Sequence, residues 1–75
     1  MDLHHLVKMA NEIGAYFSQM PDREEAVTAI TAHLRNFWEP RMRRQIIEHA
    51  RNEGGDLTDI VRAAVLRLES SPNPG

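Results

Sequence analysis

Residues 33–46 read HLRNFWEPRMRRQI, and this stretch decides how the chain divides into helices. It contains the chain's only tryptophan, Trp38, which is followed two residues later by Pro40. A helix arriving from the N-terminal side must end here, because proline lacks the N–H that would continue its hydrogen bonds. Proline also suits the first turn of a helix, so a new helix can begin at Pro40. The stretch predicts two helices joined by a sharp bend.

Two amphipathic helices are predicted before this bend, because apolar residues recur three and four positions apart. The first stripe comprises Leu3, Leu6, Ala10, Ile13 and Phe17, with Val7, Met9 and Tyr16 beside it. It predicts a helix over about 3–19, capped by Asp2, in which Gly14 allows the close approach of another backbone. Pro21 ends that helix, and Asp22, with Glu25 at capping-box spacing, starts the next. The second helix is predicted over about 23–38, with Ala26, Val27, Ile30, Leu34 and Phe37 facing the core.

Two further helices are predicted after the bend. Met42, Ile46, Ile47 and Ala50 form the apolar face of the third helix, and Gly54–Gly55 ends it, with one glycine in the left-handed conformation. The last stripe comprises Leu57, Ile60, Val61, Ala64, Val65 and Leu68, with Asp56 or Thr58 as the cap. We therefore expect an all-α fold, a compact bundle of about four short helices. Residues 1–69 form one helical domain, and 70–75, SSPNPG, form a disordered tail.

Composition favours a soluble chain that depends on a partner. A domain of 75 residues buries only about 60% of its unfolded surface, and without cysteine it has no disulfide. The net charge is −2, which argues against nucleic-acid binding. Residues 35–51 hold five arginines against two glutamates, a net +3, and the rest of the chain sums to −5. No apolar run approaches the length of a bilayer span, and 1–10, MDLHHLVKMA, do not resemble a signal peptide, so we expect a cytoplasmic protein without membrane contact.

The residues that carry chemistry in other proteins are poorly placed here. The adjacent His4 and His5 point about 100° apart on a helix, and His33 and His49 lie on different helices, so a metal site is not expected. The chain has neither a G-x-S-x-G elbow nor a glycine-rich phosphate loop. We therefore predict no catalytic, cofactor-binding or metal-binding residues, and interpret the chain as a binding protein.

The candidate partner-binding residues lie at the bend. They are Arg35, Trp38, Pro40, Arg41, Met42 and Arg43. Tryptophan and arginine are enriched among residues that dominate binding energy, and arginine can hold a carboxylate with two hydrogen bonds. Two interpretations of Trp38 stay open, a lid over the small core or a docking residue. For the arginines, the alternative is a solvated helix face.

The same stretch resembles the delta subunit of soluble bacterial NAD-dependent formate dehydrogenases. Residues 33–43, HLRNFWEPRMR, carry the most specific part of the likeness. Residues 6–17, LVKMANEIGAYF, and 61–68, VRAAVLRL, match its first and last helices in the same order.

The resemblance implies a non-catalytic accessory subunit. In such enzymes a large subunit oxidises formate on a bis-pterin molybdenum or tungsten cofactor, and iron–sulfur clusters pass the electrons to FMN and NAD. The delta subunit is expected to bind the large catalytic subunit in a hetero-oligomer and to support assembly, stability or cofactor retention. No cofactor is expected on this chain itself. The alternatives are a small helical nucleic-acid-binding regulatory domain and a self-associating structural protein.

Overall fold

Four α-helices make up the fold. The computed structural model describes residues 2–70, with α1 at Leu3–Phe17, α2 at Arg23–Phe37, α3 at Pro40–Asn52 and α4 at Asp59–Ser70. The all-α class and the number of helices are confirmed, and no strand occurs within 2–70. Ser70, predicted to begin the tail, ends α4, and the rest of that predicted tail lies outside the described residues. None of the helices in 2–70 has both the length and the apolar character needed to cross a membrane.

The first two helices begin in different ways. Asp22 caps α2 as predicted, since its carboxylate accepts a hydrogen bond from the Glu24 N–H at 3.3 Å. The prediction that the Asp2 side chain caps α1 is wrong, because it makes no capping hydrogen bond. Asp2 is exposed, so water can solvate its carboxylate, and only its backbone carbonyl joins the helix by accepting from the Leu6 N–H at 3.1 Å.

The bend between α2 and α3 consists of two extended residues. Trp38 has φ −92° and ψ 138°, and Glu39 has φ −66° and ψ 152°. The ring of Pro40 disfavours a helical conformation at the preceding residue, which explains the extended Glu39. Pro40 is the first residue of α3, as predicted.

Gly54 ends α3 in the left-handed conformation. Its φ is +67°, and it is the only residue with positive φ within 2–70. The Leu57 N–H donates to the Gly54 carbonyl at 3.1 Å and thereby closes the turn. The first hydrogen bond of α4 runs from the Arg62 N–H to the Thr58 carbonyl at 2.8 Å.

The core lies between all four helices, and α2 packs most extensively against α4. Its largest fully buried side chains are Leu6, Val27, Ile30, Leu34, Ile46, Val61 and Val65. One buried polar residue, Thr31, joins the two helices: its hydroxyl lies 2.8 Å from the Val27 carbonyl and 3.2 Å from the Ala64 carbonyl. This contact satisfies a polar group that would otherwise be costly to bury.

Gly14 lies where α1 crosses α4. A Cβ atom at this position would collide with the side chain of Val61, which is completely buried. The close approach expected at Gly14 therefore exists, but it is made by a side chain of α4. The prediction that another backbone occupies this space is corrected accordingly.

At the end of α2, Trp38 is buried and its neighbour Phe37 is exposed. The prediction that Phe37 belongs to the core is wrong, because its side chain is 73% exposed. Trp38 is 6% exposed and belongs to the core cluster, in agreement with the interpretation of Trp38 as a lid. On a helix of 3.6 residues per turn, Trp38 is about 40° from Leu34 and Phe37 about 60°, so Trp38 continues the buried stripe more closely.

Candidate docking surface

The six residues predicted to bind a partner differ in accessibility. Pro40 and Arg41 are exposed, Arg35, Met42 and Arg43 are half-buried, and Trp38 is buried. Met42 packs against the core cluster. The exposed part of the predicted surface is therefore the start of α3, with Arg41 as its accessible cation.

Arg43 has an unsatisfied donor. Its Nε is buried and has no hydrogen-bond partner among the described residues. A buried donor without an acceptor destabilises a structure by about 1–3 kcal/mol, and hydrogen bonds to charged groups are stronger than average. Because this Nε is buried, a carboxylate from another protein could reach it only if the half-buried Arg43 side chain turned outward.

A row of four aromatic rings crosses the surface from α1 to α2. We call this row, Tyr16, Phe17, His33 and Phe37, the aromatic strip. The Tyr16 and Phe17 ring centroids are 5.1 Å apart with an edge-to-face angle of 81°. His33 lies 5.9 Å from Phe17 and 4.8 Å from Phe37. These spacings are those of attractive aromatic pairs, so the rings form one continuous surface.

The two ends of the aromatic strip are in contact with water. Tyr16 is 69% exposed and Phe37 is 73% exposed, while Phe17 and His33 are half-buried. Tyr16 and Phe37 are the exposed large hydrophobic residues of the described chain. Scattered apolar residues on a surface are ordinary, but apolar groups that adjoin one another are characteristic of interaction sites.

A groove of about 360 Å³ lies beside the aromatic strip. It is lined by Met9, Glu12, Ile13, Tyr16, Phe17 and His33. Glu12 is its only carboxylate, and the lining contains neither lysine nor arginine. A second groove of about 320 Å³ extends the apolar surface from Tyr16 and Phe17 towards Gln19 and Met20. The surface is thus mainly apolar, with a single negative charge at its edge.

A different set of polar residues joins α1 to the loop between α3 and α4. The Asn11 amide donates to the Asp56 carbonyl at 2.9 Å and accepts from the Thr58 N–H at 3.1 Å. His49 Nε2 donates to the Asp56 carboxylate at 2.7 Å. This hydrogen bond is the main cause that lowers the pKa of the Asp56 carboxyl below its usual value, although partial desolvation opposes it. The arrangement holds the loop in place and is structural.

No group of three or more histidine or acidic side chains within 2–70 is arranged to hold a metal ion. His4 is close enough to Asp56 to contribute slightly to its lowered pKa. Both residues line a groove of about 440 Å³ on α1 that also includes Lys8 and Asn11.

The aromatic strip was missed in the sequence because its residues were divided between other roles. Tyr16 was interpreted as the edge of the α1 stripe and Phe37 as core. One signal was present: His33 and Phe37 are four residues apart, so they share a face of α2. The pairing of that face with Phe17 depends on how α1 packs against α2, which helix periodicity does not determine.

Comparison with protein families connects this chain to an enzyme. The family model of the NADH-dependent formate dehydrogenase delta subunit, FdsD, matches residues 5–65. The chain belongs to this family. Its members are named as subunits of a formate dehydrogenase, which is an enzyme of several subunits. Neither curated proteins nor solved structures gave a match.

The FdsD match agrees with the resemblance found in the sequence and includes both candidate surfaces. The aromatic strip, from Tyr16 to Phe37, lies within the matched residues, as does the start of α3 with Arg41 and Arg43. As a delta subunit the chain has other subunits to meet, so an exposed apolar surface has a natural explanation.

Proposed function

We propose that this chain is a non-catalytic delta subunit that binds the large catalytic subunit of a formate dehydrogenase. Its role is to support the assembly, the stability or the cofactor retention of that subunit. The observation that carries the proposal is the family match over residues 5–65. Two exposed aromatic side chains on a chain of only 75 residues support it.

The redox chemistry belongs to the other subunits in this proposal. Iron–sulfur clusters are held by cysteine thiolates, and this chain has no cysteine. The clusters are therefore assigned to partner subunits, and the resemblance to the delta subunit implies the same for the molybdenum or tungsten cofactor, FMN and NAD. The enzyme is proposed to work in the cytoplasm as a hetero-oligomer, without nucleic acid or membrane.

The start of α3 is proposed as the polar part of the interface. Arg41 is exposed, and the buried Nε of Arg43 lacks an acceptor. Acidic side chains of the large subunit would pair with Arg41 and, once the Arg43 side chain turns outward, supply the acceptor for its Nε. Arg35 and Met42, both half-buried, complete this part, and Pro40 fixes the direction of the helix. Trp38 contributes by packing beneath the surface.

The test is co-purification of this chain with the affinity-tagged large subunit after co-expression. We expect wild type to be retained and Arg41→Ala/Arg43→Ala to bind at least tenfold more weakly, because each arginine loses charge-assisted hydrogen bonds. Arg23→Ala, at an exposed position in the first turn of α2, is the matched control and should bind like wild type. Failure of the wild-type chain to be retained would contradict the proposed function. Retention of the double variant at full strength would remove the arginines from the interface.

A further inference from the structure

The aromatic strip is costly to leave in water. A buried aromatic side chain removes about 150–250 Å² from solvent, and such rings dominate the energetics of interfaces. Tyr16 and Phe37 instead remain about 70% exposed at opposite ends of the row. Between them, the half-buried Phe17 and His33 give the row a rigid base. This is the form of an interface centre that is already organised before the partner arrives.

We propose that the aromatic strip and its groove are the docking site for an amphipathic helix of the partner subunit. This inference rests on the proposed function and adds the surface and the chemistry of its occupant. The apolar side chains of that helix enter the groove between Met9, Ile13 and Phe17 and cover Tyr16 and Phe37. A helix in a groove presents such side chains at spacings of three, four and seven residues.

Charge determines the other face of the occupant. Glu12 is the only carboxylate of the groove, whose lining has no lysine or arginine, while Lys8, one turn earlier on α1, lines the other groove that Glu12 borders. A lysine or arginine of the partner helix therefore lies beside Glu12. A second copy of this chain fits less well, because an isologous contact brings the same surface from both copies together. The groove of one copy would then face the groove of the other, and neither Glu12 would meet a cation from the groove lining.

The strip also continues into the proposed polar contact. In the chain, Phe37 is separated from Arg41 only by the two residues of the bend and by Pro40. An interface of standard size covers about 800 Å² on each partner. That is about one sixth of the 4856 Å² accessible surface of this chain. An apolar centre on the strip with arginines at its edge agrees with the usual division of an interface into core and rim.

The test measures binding to the purified large catalytic subunit by biolayer interferometry. We expect Tyr16→Gln/Phe37→Gln to weaken binding about 100-fold, because central aromatic residues carry most of an interface's binding energy. Both side chains are exposed in the free chain, so the melting temperature by circular dichroism should change little. Glu48→Gln, at an exposed position of α3 that lines neither groove of the strip, is the control and should bind like wild type.

Charge reversal tests the cation on the partner. We expect Glu12→Lys to weaken binding about tenfold and Glu48→Lys to leave it unchanged, because only Glu12 faces the partner's cation. Equal effects of the two reversals would overturn the assignment of charge.

A photo-crosslinking residue at position 37 identifies the occupant directly. It should capture one segment of the large subunit, with apolar residues on one face and a lysine or arginine next to them. The same residue at position 48 should capture nothing.

Failure of the inference can be distinguished from failure of the proposed function. If wild type binds the large subunit and Tyr16→Gln/Phe37→Gln binds equally well, the strip is not the interface, although the function stands. If wild type does not bind at all, the proposed function fails first. A crosslink from position 37 to a second copy of this chain would overturn the inference in favour of self-association.

Discussion

Single residues fix the turns of this chain, and Gly54 is the clearest case. Its φ of +67° is unfavourable for a residue with a side chain, and a Cβ atom would lie 3.0 Å from the Ala50 carbonyl oxygen. We expect Gly54→Ala to lower the free energy of unfolding by about 1–2 kcal/mol, the usual penalty of left-handed backbone. Urea denaturation measures this loss.

The neighbouring glycine supplies the control for that experiment. Gly55 has ordinary φ, and a Cβ atom there would meet nothing within 4 Å. Gly55→Ala should leave stability unchanged or raise it by up to about 1 kcal/mol, because alanine restricts the unfolded chain. Equal losses of stability at the two positions would show that the left-handed conformation of Gly54 is not the cause of the loss.

Gly14 is needed for a different reason, the space occupied by Val61. Alanine is favoured over glycine in a helix by about 1 kcal/mol, but overpacking a core costs about 1–3 kcal/mol. Val61 is buried and β-branched, so it has little room to move, and we expect Gly14→Ala to lower stability by about 1 kcal/mol. In a Val61→Ala background the same change should be stabilising, since the colliding methyl group is gone. Thermal unfolding of the four variants tests this, and an equal loss in both backgrounds would contradict it.

Asp56 makes stability depend on pH in acid. The hydrogen bond from His49 lowers the pKa of its carboxyl in the folded state. A lowered pKa stabilises the fold above the ordinary value of about 3.9, and the contribution is lost as pH falls through the folded-state value. We expect wild type to lose stability more steeply than Asp56→Asn as pH falls below the ordinary value. Asp2→Asn, whose carboxylate makes no capping bond, is the control and should keep the wild-type slope. Parallel curves for wild type and Asp56→Asn would contradict the assignment.

Several of these residue roles could be predicted because they depend on local chemistry. Pro40 at the start of α3, Asp22 as a cap and a left-handed glycine after α3 follow from backbone geometry alone. Asp2 did not follow, because its backbone is in the N-cap position but its side chain makes no capping hydrogen bond. Phe37 also differed from its predicted place in the core. A residue at the edge of an apolar stripe is buried or exposed according to how the neighbouring helix packs.

At the scale of elements, the helices themselves were predictable and their contacts were not. Apolar periodicity located all four helices, with ends displaced by one or two residues where α1 and α2 end early. The buried hydrogen bond from the Thr31 hydroxyl to the Ala64 carbonyl joins two residues that are 33 positions apart in the chain. The hydrogen bond from the Thr58 N–H to the Asn11 side chain joins two that are 47 positions apart. No local pattern identifies such partners, because they depend on which helices pack together.

The link through Asn11 should control the loop before α4. Asn11→Ala removes the donor to the Asp56 carbonyl and the acceptor for the Thr58 N–H. We expect a loss of about 1–2 kcal/mol, because a typical hydrogen bond contributes about 0.5–1.5 kcal/mol and two are lost. Amide exchange at Thr58 should become faster, while exchange in the middle of α2 follows only the global loss. Asn36→Ala, at an exposed position of α2, is the control. Unchanged exchange at Thr58 would show that the loop holds its shape without Asn11.

At the scale of the whole molecule, the chain is a small bundle with one apolar face left open. Its membership of the delta-subunit family could be predicted from the sequence, since residues 33–43 carry the most specific part of the likeness. The position of the surface could not. Trp38, for which a lid over the core and a docking role were both open, completes the core, and Phe37, which was expected in the core, lies on the surface.

The central claim is that this chain binds the large catalytic subunit of a formate dehydrogenase. Native mass spectrometry of the two proteins after co-expression tests it most directly. The account predicts a species whose mass is that of the large subunit plus at least one copy of this chain, present for wild type and depleted for Tyr16→Gln/Phe37→Gln. Only the two separate masses for the wild-type pair, with both proteins folded, would contradict it.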